Sequence, residues 1–171
     1  MKTVKKVMVA VSALAIRAAI PDAAFAQLVL TCPVGIRFSE IVECTNIISR
    51  LTLRPNGVVN VNTGCLLTSL GPPILAGQCV LSTSGPGPSK NVVVTIPDNK
   101  VTIPGPGDNL IIRRWRIART TTNGQNQTLT FTPAEVLNTV TFNVGARLES
   151  SGNQVMGSYV GTNIVRAQLA P

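Results

Sequence analysis

Short segments in which apolar and polar residues alternate recur along the chain, and clusters of Gly and Pro separate many of them. The segments are residues 34–42, 47–53, 58–62, 79–82, 91–96, 100–103, 110–118, 128–131, 139–148 and 157–167. Many short strands with turn residues between them are typical of an antiparallel sandwich or barrel. Helical periodicity is confined to residues 133–137, which favour one turn at most. The pattern therefore predicts an all-β domain.

The composition narrows the chemistry open to this domain. The chain has 171 residues, of which 44% are apolar and 13% are charged, and it contains no histidine. The lack of histidine excludes Ser-His-Asp and Cys-His catalysis and the usual zinc sites. The acidic residues are not spaced so as to pair two carboxylates for glycoside cleavage. We therefore expect a single domain that is not an enzyme and that holds no cofactor or metal ion.

The first 26 residues have the three parts of a secretory signal peptide. Lysines at positions 2, 5 and 6 precede an apolar stretch, and Ala24, Phe25 and Ala26 suit a signal peptidase. Arg17 ends the apolar run after about ten residues, whereas a membrane anchor needs about 20. We predict a signal peptide at residues 1–26 and a β-sandwich domain at residues 27–171. The domain is expected in the periplasm or on the surface of a Gram-negative bacterium, without a membrane span.

Four cysteines, Cys32, Cys44, Cys65 and Cys79, follow the predicted signal. An even number of cysteines in an exported protein favours disulfides, and four allow three connectivities. Residues 54–57 resemble a tight turn, and extending the hairpin back from that turn brings Cys44 nearly opposite Cys65. Cys32 is then left with Cys79, although the connectivity stays open at this point. No CxxC pair is present, so a metal cluster is not expected.

A basic cluster surrounds the one tryptophan of the chain, at residues 113–116. Strict strand alternation directs Arg113 and Trp115 to one face, and Ile112, Arg114 and Arg116 to the other. Our preferred interpretation is a solvent-exposed edge strand whose charge prevents unwanted pairing with other chains, with Trp115 in the core. The alternative is an interaction site for an anionic surface polymer. Nucleic acid is not expected, because the protein is exported and lacks a run of aromatic residues that could stack on bases.

Five segments occur in the order of a known family: IRFSEIV at 36–42, LTLRPNG at 51–57, VVVTIP at 92–97, TFNVGARL at 141–148 and GSYVGT at 157–162. They resemble the exported bacterial family known as domain of unknown function 4402. That family in turn resembles subunits of archaic chaperone-usher pili and spore-coat U proteins. The resemblance implies an immunoglobulin-like, pilin-like sandwich with an incomplete edge and a structural role. In such pilins an early cysteine pairs with one on the second main strand, which corresponds here to Cys32 with Cys79.

Archaic pilins also carry an N-terminal extension that completes the sandwich of a neighbouring subunit, which is a form of strand addition. The candidate donor strand here is Leu28, Val29 and Leu30, in a segment of five residues that precedes Cys32 and spans roughly 17 Å when extended. The expected function is an exported structural subunit of a surface filament, coat or fimbria-like assembly. Its expected partners are like subunits or a periplasmic chaperone. The alternative function is an adhesin-like module that binds a glycan or envelope polymer through Trp115 and its neighbouring arginines.

Overall fold

The computed structural model describes residues 27–38, 47–63, 73–105, 107–119, 126–154, 161 and 163–171. These residues form two antiparallel sheets and one short helix. The elements in chain order are β1 (Gln27–Val34), β2 (Arg50–Leu53), β3 (Val59–Thr63), β4 (Gly77–Ser84), β5 (Val92–Thr95), β6 (Lys100–Ile103), β7 (Leu110–Arg119), β8 (Thr128–Phe131), α1 (Pro133–Leu137), β9 (Val140–Glu149) and β10 (Arg166–Leu169).

Strand β9 organises the larger sheet. One edge of β9 pairs with β7, which in turn pairs with β6. The other edge pairs first with β4, through residues 140–144, and then with β2, through residues 146–149. Strand β1 lies outside β4, and β3 lies outside β2. The smaller sheet has β5 between β8 and β10. The prediction of an all-β antiparallel sandwich is confirmed, and the sheets do not close into a barrel.

The core lies between the two sheets and is built from alternate residues of their strands. Phe131 of the smaller sheet packs against Phe142 of the larger one, with ring centroids 5.8 Å apart. Residues that contribute fully buried side chains to this layer are Leu81, Val92, Val94, Phe131, Val136 and Phe142. Burying one such side chain contributes about 1.5–3 kcal/mol, so this layer holds the sheets together.

The hairpin predicted around residues 54–57 is confirmed. Gly57 has a φ of +82°, and its N–H donates to the carbonyl of Arg54 at 2.9 Å. The Arg54 N–H donates to the carbonyl of Val58 at 2.8 Å, which closes the turn between β2 and β3. Glycine is suited to this position because it adopts a positive φ without a steric penalty.

The single helical turn predicted at residues 133–137 is also confirmed. Hydrogen bonds at its N-terminus stabilise it. The hydroxyl of Thr132 accepts from the N–H of Glu135 at 3.3 Å, and the Thr132 N–H donates to the Glu135 carboxylate at 2.7 Å. This reciprocal arrangement is a capping box. The guanidinium of Arg119 also donates to Glu135 at 2.8 Å and lies 5.0 Å from the Phe131 ring centroid, which ties the turn to β7.

The capping box predicts a small acid-dependent stability change. The N–H of Thr132 and then the guanidinium of Arg119 hold the pKa of Glu135 below its usual 4.5. A lowered folded-state pKa means that the stabilisation is complete above the unfolded-state pKa and is lost as the pH falls through the folded-state value. We expect Glu135→Gln to lower the free energy of unfolding at pH 7 by less than about 1 kcal/mol, because the carboxylate is solvent-screened. Urea titrations should show that the difference shrinks at pH 3; a difference that does not depend on pH would contradict this account.

Two predicted strands need correction. The alternation predicts a strand at residues 34–42, but β1 ends at Val34, and beyond it Arg37 makes only an isolated bridge to Leu75. Residues 39–42 lie outside the described part of the chain. The last predicted strand, 157–167, is observed only from Arg166 onward, since residues 161 and 163–165 are not strand and the others are not described. In both segments the alternation includes described residues that are not strand, namely residues 35, 36 and 38 in the first and residues 161 and 163–165 in the second.

The predicted signal peptide, residues 1–26, lies outside the described residues and stays a prediction. Within the described ranges, no helix has both the length and the apolar character needed to cross a membrane.

Candidate interaction surfaces

The candidate donor strand forms an edge strand within its own domain. Leu28 and Leu30 are half-buried and pack against the core, while Val29 points away from it and is exposed. The segment pairs antiparallel with β4, where Leu30 lies opposite Leu81. Among the described strands, none pairs with the outer edge of β1. An apolar strand thus closes one side of the sandwich, and its outer edge is a candidate position for a further strand.

A disulfide joins Cys32 to Cys79 and fastens the C-terminal part of β1 to β4. This confirms that pairing; the proposed partners Cys44 and Cys65 lie outside the described residues. The bridge stands where the β1–β4 register shifts, between Thr31 and Val34. It therefore divides β1 into an anchored end and an N-terminal arm, residues 27–31, which only strand pairing and side-chain packing hold in place.

The outer edge of β3 is exposed and uncharged. Leu51 and Leu53 lie opposite Val61 and Val59, so the four side chains share the inner face of the sheet. The leucines are buried, but Val59 and Val61 are 37% and 43% exposed, and the adjoining Val58 is 46% exposed. In the described part of the chain no strand pairs with this edge. The alternation at residues 58–62 predicts this strand, and only the observed pairing shows that it is an edge.

Two of the other edges of the sandwich carry charge, as edge strands commonly do to avoid unwanted pairing. Strand β6 begins at Lys100 and β10 begins at Arg166, and both side chains are exposed. Strand β3 contains neither a charged residue nor a proline. By this criterion, β3 is an edge that accepts another strand more readily than β6 or β10.

The basic cluster lies on β7, and its predicted arrangement is wrong in two respects. Strand β7 is not an edge strand, because it pairs with both β6 and β9. Its alternation is also broken: Arg114 has a φ of +53°, and the register against β9 shifts between Arg113 and Arg116. This bulge inserts one extra residue, so Ile112 and Trp115 both point into the core. Arg113 and Arg116 consequently share the outer face, whereas strict alternation would have placed them on opposite faces.

Trp115 lies in the core, as the preferred interpretation expected, and is 7% exposed. Its indole Nε1 has no hydrogen-bond partner among the described residues. The bulge therefore separates the tryptophan from the arginines with which the sequence groups it. The ring does not form part of the outer surface on which those arginines lie.

Two further arginines join the cluster from distant parts of the sequence. Arg147 of β9 lies directly opposite Arg113, and Arg50 of β2 lies directly opposite Glu149 of β9. We call the set Arg50, Arg113, Arg114, Arg116 and Arg147 the arginine face. Sequence reasoning missed Arg50 and Arg147, since only the pairing of β2, β9 and β7 reveals that they are neighbours of Arg113.

Glu149 is the acidic residue at the centre of the arginine face. Its carboxylate lies 3.0 Å from Nη2 of Arg113, 3.6 Å from Nε of Arg50 and 3.8 Å from Nη1 of Arg147. Burial lowers the pKa of Arg147, and the neighbouring Arg114 lowers it further, while Glu149 acts in the opposite direction. One carboxylate thus orients three guanidinium groups without balancing the charge of five.

Three of the described acidic residues have separate partners. Glu135 binds Arg119, Glu149 binds the arginine face, and Asp108 accepts from Ser151 at 2.7 Å. Among the described residues, no group of three His, Cys, Asp or Glu side chains is placed to hold a metal ion. The prominent features of the described surface are therefore strand edges and a cationic face.

Comparison with known proteins gives one positive result. No curated protein and no solved structure is significantly similar to the chain. A family model, described as "Domain of unknown function (DUF4402)", matches residues 30–168, which include all the described strands apart from the ends of β1 and β10. Because this match covers most of the chain, the family assignment suggested by the ordered segments is confirmed, and the protein belongs to the DUF4402 family.

Proposed function

We propose that this protein is an exported structural subunit of a bacterial surface filament, coat or fimbria-like assembly, in which subunits join through strand edges. The observation that carries the proposal is the outer edge of β3, an uncharged strand with Val59 and Val61 exposed beside buried leucines. Such an edge presents unpaired backbone groups and apolar side chains together, which is the combination that strand addition uses.

The occupant that fits this edge is a strand from a second copy of the chain. Two β3 edges can pair antiparallel about a two-fold axis, which brings Val59 and Val61 of each copy together and introduces no charge. The arginine face points the other way, because its side chains leave the opposite side of the sheet from Val59 and Val61. Repulsion between like-charged faces then disfavours face-to-face contact and leaves edge contact as the favoured geometry.

The N-terminal arm offers the second contact that an extended assembly requires. Residues 27–31 lie before the disulfide, and Leu28 and Leu30 pack into the side of the sandwich in a register that another copy's arm can reproduce. Exchange of an identical element between copies is a low-cost route to association, because the arm packs in the neighbouring copy as it does in its own. In this role Leu28, Val29 and Leu30 act as the donor strand.

The family pattern and the absence of histidine support a structural role over a catalytic one. The resemblance of the family to archaic pilins and spore-coat U proteins favours like subunits as partners, with a periplasmic chaperone covering the open edge before assembly. The predicted signal peptide supports a location of this assembly outside the cytoplasm.

A single charge at the β3 edge tests the proposal. We expect residues 27–171 to form concentration-dependent oligomers in sedimentation velocity, and Val61→Lys to shift the protein to monomer, because a lysine at an edge strand opposes pairing with a second edge. The matched control is Thr128→Lys, which adds the same charge at an exposed position of β8 in the smaller sheet. The control should oligomerise like the parent chain.

Two outcomes would reject the proposal. A parent protein that remains monomeric from micromolar to millimolar concentration has no strand edge available to its own copies. Equal loss of oligomers in Val61→Lys and Thr128→Lys indicates a general charge effect and not a specific edge. Both variants must show the circular dichroism spectrum of the parent, so that loss of assembly is not loss of the fold.

The adhesin-like alternative loses its aromatic component in this structure. A sugar ring would need to stack on an accessible indole, whereas Trp115 lies in the core. The arginines that accompanied it in that hypothesis remain on the surface.

A further inference from the structure

We propose that the arginine face binds a linear anionic polysaccharide, one that carries carboxylate or phosphate groups along its length. The inference rests on the outer face of the larger sheet and is independent of the strand edges. It concerns Arg50, Arg113, Arg114, Arg116 and Arg147, which three adjacent strands bring together.

The strand register places cations directly opposite one another. Lys100 of β6 lies opposite Arg113 of β7, which lies opposite Arg147 of β9. Adjacent strands are about 4.8 Å apart, so this row extends roughly 10 Å across the sheet. Like charges in directly opposed positions destabilise a sheet. Glu149 relieves only part of this repulsion, and a bound polyanion would relieve the rest.

The bulge at Arg114 adds to the positive potential. Burial lowers the pKa of Arg147, and the positive charges of Arg114, Arg50 and Arg116 lower it further. Within the described part of the chain, neither Arg114 nor Arg116 makes an ion pair with an acidic residue. Arg113 has a buried Nε for which none of the described residues provides a hydrogen-bond partner. The face therefore retains guanidinium donors beyond those that Glu149 engages.

The shape of the site favours a polymer over a small anion. The arginines stand on the outer face of a sheet, where charge is distributed along a row and across neighbouring strands. Guanidinium groups form paired hydrogen bonds with carboxylate and phosphate groups. A chain with repeated anionic groups can engage several of these arginines at once, and each additional contact raises the effective concentration of the next.

The composition of the face argues against two other partners. None of the described aromatic side chains is exposed, so the face offers no platform on which bases of a single-stranded nucleic acid could stack. Thr52 and Thr102 are the neighbouring outward residues on β2 and β6, and Ile111 of β7 is only half-exposed. Insertion into a lipid surface would require exposed apolar side chains around the cations. Charge without apolar or aromatic support fits a hydrated polysaccharide.

The test compares two pairs of substitutions with equal loss of charge. Arg114→Asn/Arg116→Gln removes two cations from the face, and asparagine tolerates the positive φ of position 114. Lys90→Gln/Arg166→Gln removes two exposed cations from elsewhere. The probe is polygalacturonate, a linear uronate polymer, and the measurement is isothermal titration calorimetry between 50 and 200 mM salt, with neutral dextran as the blank.

We expect the face variant to bind polygalacturonate at least tenfold more weakly than the parent, and the control pair to change affinity less than twofold. The slope of log affinity against log salt should fall by roughly two in the face variant, because two fewer counterions are released from the polymer. The face variant should melt no lower than the parent, since it loses repulsion and no described ion pair.

Three outcomes would overturn the proposal. Equal weakening by both pairs means that net charge alone attracts the polymer. Absence of binding by the parent at 50 mM salt would show that the arginine face is not a binding site for this polymer. Tighter binding of a single-stranded oligodeoxynucleotide than of polygalacturonate at the same salt concentration assigns the face to a different class of polymer. Binding by Val61→Lys at the parent affinity would separate this site from the edge that the proposed assembly uses.

Discussion

Replacing Cys32 and Cys79 together with alanine should lower the free energy of unfolding by about 4 kcal/mol, which is a large part of the stability of a small domain. The bridge spans 47 residues of sequence, and the unfolded chain gains the conformational freedom of that whole loop when the bridge is removed. Urea titration of the oxidised variant and parent provides the measurement. A difference below about 1 kcal/mol would contradict the account, since it would mean that the loop constrains the unfolded state very little.

The same titration in reducing agent is the control for this experiment. Under reduction the parent also loses the bridge, so the parent and the variant should differ only by the packing of the Cys79 sulfur, which is buried. A large difference that persists in reducing agent would assign the effect to packing and not to the covalent link. Hydrogen exchange provides a second measurement, because β1 loses the tie to β4 and its amides should exchange faster.

The disulfide also has a consequence for assembly. While the bridge is intact, only residues 27–31 can leave β4 without breaking a covalent bond. Without it, all of β1 is held only by strand pairing and side-chain packing. The bridge therefore limits arm exchange to a short segment and keeps the remainder of the strand with its own domain, which favours a defined contact over a wholesale domain swap.

Local features of this fold were predictable because their causes lie within a few residues. Pro55 and Gly57 specify the turn between β2 and β3, and the Pro133–Leu137 turn lies in a segment with one capping box. Each depends on hydrogen bonds between residues no more than four positions apart. The all-β architecture followed similarly from alternation and turn residues, which are local properties.

The arginine face was not predictable to the same extent, because two nonlocal causes create it. Arginine rarely adopts a positive φ, so nothing in the residues around Arg114 indicates a bulge there. Alternation without that bulge assigns Trp115 and Arg113 to one face. Arg50 and Arg147 join the cluster only through the pairing of β2 and β7 with β9, which residue periodicity does not specify.

Gly145 is the position at which β9 changes partner, and Gly145→Ala should lower the free energy of unfolding by about 3 kcal/mol. Pairing with β4 ends at Val144, and pairing with β2 begins at Ala146. A Cβ added at Gly145 would meet the carbonyl oxygen of Leu53, the nitrogen of Pro55 at 2.7 Å and the carbonyl carbon of Arg54 at 2.8 Å. These are backbone atoms of the turn after β2, so relief requires the turn to move away from β9.

Gly35→Ala is the matched control for this prediction, since a Cβ there has no neighbour within 4 Å and the residue does not require a positive φ. In an ordinary strand, replacing glycine by alanine raises the free energy of unfolding by roughly 0.5–1 kcal/mol. A neutral or stabilising effect of Gly145→Ala would therefore show that the turn is not packed against β9. The urea midpoint of each variant decides between these outcomes.

Because the displaced turn leads into β3, we also expect Gly145→Ala to disturb the edge formed by Val59 and Val61. Its oligomers should therefore weaken under conditions in which the variant remains folded, which links the close approach at Gly145 to the proposed assembly surface.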